Sequence, residues 1–404
     1  MAKFAKISKN VHVHGDTPTA GPVDNKTRVI LGAAILPFVL LTVIGAALFW
    51  PKGHVALSKD NEASMNVDLV NGTVKKSAHL ACEGGIGYCL DVRVLMTNGP
   101  DKGKTLPLPS YQVAPGTPVL KIGDKIVVGR AVDVRRVVSY YFSDYQRGVP
   151  LTVLALLFAV VVIAVGRWRG LSAILGLVIA YFVLVKFLLP AILAGRNPLF
   201  VCLIGGAAIM FPVMYLAHGP NARTTTALLG TLCSVALTGV LAVIFVGATH
   251  LSGASSEEVN YIQAIAGSIN PRGLVLGGLI IGSLGVLNDV TVTQASAVWE
   301  LHNTSPEMST RLLYSSAMRI GRDHIASTVY TLVLAYAGAA LPLLILFSLA
   351  NRPSLDVITG DVVAEEIVRT LVGSIGLVAS VPITTALATI VVPRRTDSLG
   401  AGAA

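Results

Sequence analysis

Charge is scarce in this chain. Only 13% of its 404 residues are Asp, Glu, Lys or Arg, against 53% hydrophobic, and the mean hydropathy is +0.70. That balance excludes a soluble or disordered protein and leaves a polytopic membrane protein. Histidine is thin too: eight residues, scattered, with no HExxH pair or comparable ligand cluster. His12 and His14 alone are too few ligands for a metal, so neither metal nor cofactor is expected. No serine sits in a G-x-S-x-G elbow. Gly99–Thr105 is one residue short of the phosphate-loop spacing, and no apolar helix follows it. With no catalytic motif, an enzyme is not expected. The net charge of +9 comes with no arginine-rich arm or aromatic RNA-binding motif, which argues against nucleic acid as a partner. Cysteine is limited to four residues. Cys202 and Cys233 lie in apolar runs and read as core packing. Cys82 and Cys89 lie in a polar stretch and can form a disulfide if that stretch is extracytoplasmic.

What is present is long apolar runs. Residues 1–28 read as a disordered basic tail and 29–50 as an uncleaved anchor helix. Residues 53–147 break the apolar pattern. Alternating segments at 66–75, 90–97, 125–129 and 131–139, with Asn71-Gly72 and Asn98-Gly99 as turns, predict a small β domain, OB-like in size and pattern. Tyr140, Tyr141, Phe142 and Tyr145 suit an interfacial aromatic belt. Seven more runs fill residues 148–393: 149–165, 171–189, 198–217, 224–246, 273–301, 325–349 and 371–392. A short tail, 394–404, follows. Ser255-x-x-Glu258 has capping-box form and predicts a short surface helix. Residues 361–370 read as helical, with Glu365 and Arg369 at i,i+4. The fold expected is a polytopic α-helical membrane protein of about eight transmembrane helices, with an extracytoplasmic β-rich domain between the first and second spans. Placing both termini in the cytoplasm puts Arg167, Arg169, Arg223, Arg311, Arg319 and Arg322 inside. The short outer loops then keep only Arg196, Arg272, Arg352 and Arg369, as the positive-inside rule asks. Short echoes, such as Ala180-Tyr181 with Ala335-Tyr336, join spans of the same orientation.

The stretch Gly273–Leu301 stands apart. It begins as an ordinary span and then carries Asn288 and Asp289, followed by Thr291, Thr293, Gln294 and Ser296. A carboxylate near the bilayer centre costs roughly 2.5–3.5 kcal/mol on insertion scales. At helical steps of three and four, Gly278, Gly282, Gly285, Asp289, Thr293, Ser296 and Glu300 share one stripe. Its glycine half admits a close-packed helix. Its polar half should face protein or water. At about 1.5 Å per residue Asp289 lies roughly 24 Å from Gly273, deep towards one face of a core roughly 30 Å thick. In the charged loop that follows, Arg319 and Asp323 are i,i+4 partners, which leaves Arg322 as a candidate partner for Asp289. These groups can relay a proton, bind an anion or lock two helices together.

Gly285-Val-Leu-Asn-Asp289-Val-Thr, Ala317-Met-Arg-Ile-Gly-Arg322-Asp323, Thr331–Tyr336 with Leu341–Leu344, and Leu371–Gly376 with Val381–Thr384 together resemble the YibE/F-like family of bacterial membrane proteins, its actinobacterial branch most nearly. The resemblance runs from about Asp144 to Pro393. It implies a multi-span protein of the bacterial plasma membrane and supplies neither substrate nor catalytic residues. Two functions are expected. One is a secondary transporter or permease-like protein with a polar intramembrane site at Asn288, Asp289, Thr293, Ser296, Glu300, Arg319, Arg322 and Asp323. The other is a non-transporting scaffold or accessory subunit of an envelope complex. Its partners would be membrane lipids and an envelope protein met through residues 53–147. The sequence leaves the oligomeric state open.

Overall fold

The computed structural model describes residues 25–51, 68–82, 88–132, 137–266, 269–349 and 354–392. The readings of the two tails, with His12 and His14, fall outside those residues. The chain divides into two compact units, 56–167 and the remainder, 1–55 with 168–404.

In the first unit the polar stretch forms one antiparallel sheet: β1 (Asp68–Ala81), β2 (Tyr88–Met96), β3 (Thr105–Pro107), β4 (Tyr111–Gln112), β5 (Lys125–Val132) and β6 (Val138–Tyr145). The order is β3-β2-β1-β5-β6, with β4 also on β2. Alternation does the sorting. In β2, Leu90, Val92, Val94 and Met96 point inward and meet Val70, Val74, Leu120, Ile126 and Val128. Each such side chain contributes roughly 1.5–3 kcal/mol on burial. The disulfide Cys82–Cys89 ties the end of β1 to β2, with Cα atoms 5.1 Å apart.

Two expectations for this region need correction. Asn71-Gly72 is not a turn but lies inside β1, where Gly72 pairs with Met96 on one side and Ile126 on the other. A Cβ there would run into Val94, so glycine serves close backbone approach rather than reversal. Of the segment 131–139, Ala131 and Val132 end β5 and Val138 and Ser139 begin β6, paired as Ala131 with Ser139 and Val132 with Val138. Tyr140, Phe142 and Tyr145 are strand residues packed on the sheet core, so they form no separate aromatic belt.

The helices are α1 (Asn25–Phe49), α2 (Gly148–Val183), a π-helical turn (Leu184–Leu188), α3 (Leu189–Leu193), α4 (Pro198–His218), α5 (Ala222–Ala248), α6 (Glu257–Ala266), α7 (Pro271–Thr304), α8 (Thr310–Ala339), α9 (Leu341–Leu349), α10 (Ser354–Ile358) and α11 (Asp361–Val391). Among the described residues, six helical stretches are long and apolar enough to cross a membrane. The pair α8–α9, bent by 61°, makes a seventh. Pro342 at the start of α9 cannot continue the α8 hydrogen-bond ladder. Gly148–Leu193 is counted as one stretch of 46 residues, but Arg167 has φ 52° and ψ −127° within it and breaks its helix. The protein is thus a polytopic helical membrane protein.

The centre of the bundle is α5, α7 and α11. Its core is unusually rich in small hydroxyls: Thr226, Thr231, Ser234, Thr238, Thr291, Ser380, Thr384 and Thr385 are all fully buried. Lipid is as apolar as leucine, so helices in a membrane associate through close packing and hydrogen bonds rather than hydrophobic burial. Here α5 and α11 carry the same word, Gly-x3-Ser-x3-Thr, at Gly230, Ser234, Thr238 and at Gly376, Ser380, Thr384. They pack antiparallel, so that Gly230 faces Thr384 and Gly376 faces Thr238. Each threonine occupies the space that the opposite glycine leaves.

Candidate functional site

The site is built on α7. Asn270 caps its N-terminus by accepting from the Gly273 amide at 3.1 Å, and Pro271 starts it. Its glycines set its depth. Gly273 faces Pro198, Gly277 faces Cys202, and Leu284 faces Gly206. So α7 and α4 run side by side in the same direction, and Asp289 falls beside the last two turns of α4.

Two faces of α7 do different work. One is buried and holds the bundle together. The Thr291 and Thr231 hydroxyls lie 2.6 Å apart, joining α7 to α5. Gln294 donates to the Ala317 carbonyl at 3.0 Å and to the Thr385 hydroxyl at 2.7 Å, joining α7 to α8 and α11. Gly321 of α8 makes room for it, since a Cβ there would meet Gln294 and Val381. The other face is the stripe singled out above. Gly278, Gly282, Gly285, Asp289, Thr293 and Glu300 are exposed on the chain, and Ser296 is half-buried. Nothing lies within 4 Å of a Cβ built on Gly278 or Gly285, and at Gly282 only the Tyr336 hydroxyl comes near. Among the described residues, the glycine half is therefore met only by the tip of Tyr336 of α8.

The pairing expected for the charges is not found. Among the described residues neither Asp289 with Arg322 nor Arg319 with Asp323 forms an ion pair, and all four side chains are exposed. For Asp289 and Arg322, which stand on different helices, the reason is geometric. Gly321 and Ala317, which face the core, turn Arg319, Arg322 and Asp323 away from it. Asn288 is half-buried beside the stripe, and its Oδ1 is buried with no hydrogen-bond partner among the described residues. Glu300 lies within electrostatic reach of Arg223 at the start of α5.

Two polar groups went unread in the sequence. The buried Thr231–Thr291–Gln294–Thr385 set looked like scattered hydroxyls, because no single helix displays it. Around the other end of α7, Ser252 donates to Asp361 at 2.5 Å and Ser255 donates to Glu365 at 3.0 Å. Arg369 pairs with Glu365 at 2.6 Å and approaches Glu366 at 3.8 Å. The i,i+4 pair was legible, but the loop serines that fix it were not. Ser255 is thus occupied elsewhere, and α6 is capped instead by Ser256, which accepts from the Val259 amide at 3.3 Å.

In the sheet unit, Asp101 joins Lys104 at 2.7 Å and accepts from the Tyr140 hydroxyl, while Arg130 pairs with Asp68 at 2.8 Å. The Lys104 ammonium first, and Tyr140 second, hold the Asp101 carboxyl below its ordinary range. Two surface grooves flank Leu108 and Pro109. One is lined by Tyr111, Pro118, Tyr141 and Phe142, the other by Leu106, Pro107, Val138 and Tyr140. Residues from opposite edges of the sheet share these grooves, so the sheet is curled. Among the described residues, no group of three His, Cys, Asp or Glu is placed to hold a metal ion.

Neither a curated protein nor a solved structure matches the chain. A family model described as YibE/F-like protein matches residues 154–394, more than half of the length. That match covers α4 to α11 whole, with the polar half of α7 inside it, and the chain belongs to the YibE/F-like family.

Proposed function

We propose that the chain is a secondary transporter or permease-like protein, with its working group at Asp289. One observation carries the reading. Asp289 lies on a span, deep towards one end, exposed along a polar stripe, and no cation of the described residues pairs with it. A carboxylate kept unpaired at that depth is costly, and a structural lock would have paired it. Thr293, Ser296 and Glu300 continue the stripe to the helix end, where Arg223 stands. On this reading the protein resides in the bacterial plasma membrane, multi-pass, with both termini in the cytoplasm and no enzymatic role. The break at Arg167 divides the 46-residue stretch into two spans, for eight in all. The sheet unit and its disulfide lie on the extracytoplasmic side. The motifs quoted above favour the actinobacterial branch of the family.

The test is flux in liposomes reconstituted with the purified chain, reported by an internal pH dye after a pH step and by release of small anions. Wild type should exceed protein-free liposomes, and Asp289→Asn should lose that excess at unchanged folded yield. No excess for wild type, or full activity in Asp289→Asn, refutes the reading. The accessory-subunit reading keeps one specific support: the aromatic- and proline-lined grooves on the curled sheet suit an extended segment of an envelope protein.

A further inference from the structure

The stripe on α7 poses a problem that the single chain leaves unsolved. Gly278-x3-Gly282 and Gly285 form a surface made for close helix approach; the Tyr336 hydroxyl of α8 reaches Gly282, but among the described residues nothing covers Gly278 or Gly285. Just beyond it, Asp289 and Thr293 are exposed at a depth matched by α4, a membrane span. On the neighbouring helix α8, Arg319 and Arg322 are likewise exposed and form no ion pair among the described residues. An acidic group on one helix and basic groups on the next, both facing outward, are self-complementary across a two-fold axis.

The register agrees. Helices α7 and α8 run antiparallel, with Gln294 at Ala317 and Gly282 at Tyr336. Interpolating between these contacts puts Asp289 level with Ile325, three residues or roughly 4.5 Å from Arg322. A two-fold axis along the membrane normal preserves depth, so Asp289 of one copy and Arg322 of the other stand within side-chain reach of the same level.

We infer that a second copy of this chain covers the α7 stripe. The two glycine surfaces pack against each other, and Arg322 of each copy completes the Asp289 site of the other. The transport reading supplies the importance of that site, so the inference rests on it for its consequence. For its geometry it rests only on the exposed stripe and the charges. The arrangement encloses a costly carboxylate between protein surfaces and gives it a cation that the described residues of its own chain do not.

The test uses the full-length chain in native membranes. Gly285→Cys is tolerated by the fold, since nothing lies near its Cβ. On mild oxidation it should give a disulfide-linked dimer. Val240→Cys, on an exposed face of α5, should not. Native mass spectrometry of unoxidised wild type should give two chains. Asp289→Arg and Arg322→Asp should each lower the linked fraction about threefold to tenfold, the scale of an interhelical polar contact. The double reversal should restore it, which a mere folding defect would not. A single-chain mass with equal linkage at 285 and 240 overturns the inference. So does linkage at 240 alone, or linkage at 285 to a different protein. The two proposals fail separately. A dimer with a dispensable Asp289 removes the transport reading, and a monomer with an essential Asp289 removes the dimer.

Discussion

The antiparallel seam between α5 and α11 can be probed by adding one methyl group. In Gly376→Ala the new Cβ falls on the Thr238 hydroxyl and stands 3.2 Å from Thr238 Cβ and 3.5 Å from its Cγ2. Rotating Thr238 away does not relieve this. Its hydroxyl donates to the Ser234 carbonyl at 2.8 Å, its χ1 is restricted by branching, and the Cβ contact persists in every rotamer. Overpacking of this kind costs about 1–3 kcal/mol. Gly373→Ala, one turn earlier on the same helix, meets only Leu332 at 3.7 Å, an ordinary contact. Both changes gain about 1 kcal/mol of helix propensity, so that gain cancels in the comparison. Gly376→Ala should therefore be less stable than Gly373→Ala by about 1–3 kcal/mol. The assay is reversible unfolding in mixed micelles, followed by circular dichroism. Adding Thr238→Ala to Gly376→Ala should recover the part due to the hydroxyl and methyl groups, leaving only the 3.2 Å contact between Cβ atoms. Equal stability of the two single variants would refute the interlocked register.

Gln294→Leu should lose the two bonds that tie α7 to α8 and α11. At about 0.6–1.7 kcal/mol per interhelical bond, the loss is about 1–3 kcal/mol in the same assay. Replacing Cys82 and Cys89 by serine opens a short loop and should cost the sheet about 2.5 kcal/mol on the loop-entropy relation, read as faster hydrogen exchange in β1 and β2. The sheet should also weaken in acid. The Asp101 carboxyl is held below its ordinary value of 3.8 by Lys104 and Tyr140. Its contribution is therefore complete above that value and is lost as pH falls through the lowered one. Asp101→Asn should remove that acid dependence from the exchange of β5 and β6. An unchanged profile would deny the carboxylate any part.

Periodicity identified the stripe on α7 but not its neighbours. Ser283, Thr291 and Gln294 are as small or polar as Gly285, Asp289 and Thr293, so hydropathy alone does not say which face the bundle covers. That choice is made by distant partners, Thr231, Ala317 and Thr385. The i,i+4 spacing of Arg319 and Asp323 offered a pair that is not formed, although both side chains are exposed on one helix. Asn71-Gly72 carries the signal of a tight turn, yet strands on both sides use it as a flat step in β1. The apolar helices, the Cys82–Cys89 bridge and the polar alternation of β2 were legible because each follows from local chemistry, whereas the bend before Pro342, inside the run read as one span over 325–349, was not.

The repeated word on α5 and α11 has a consequence for motion. Since the two helices read it in opposite directions, each end of their seam is closed by the same chemistry, one glycine against one threonine. A tilt that parts one end can leave the other engaged, and the reverse tilt is its equal in packing. The two ends are thus equal in packing, and nothing in the seam itself favours one of them as the end that would part first.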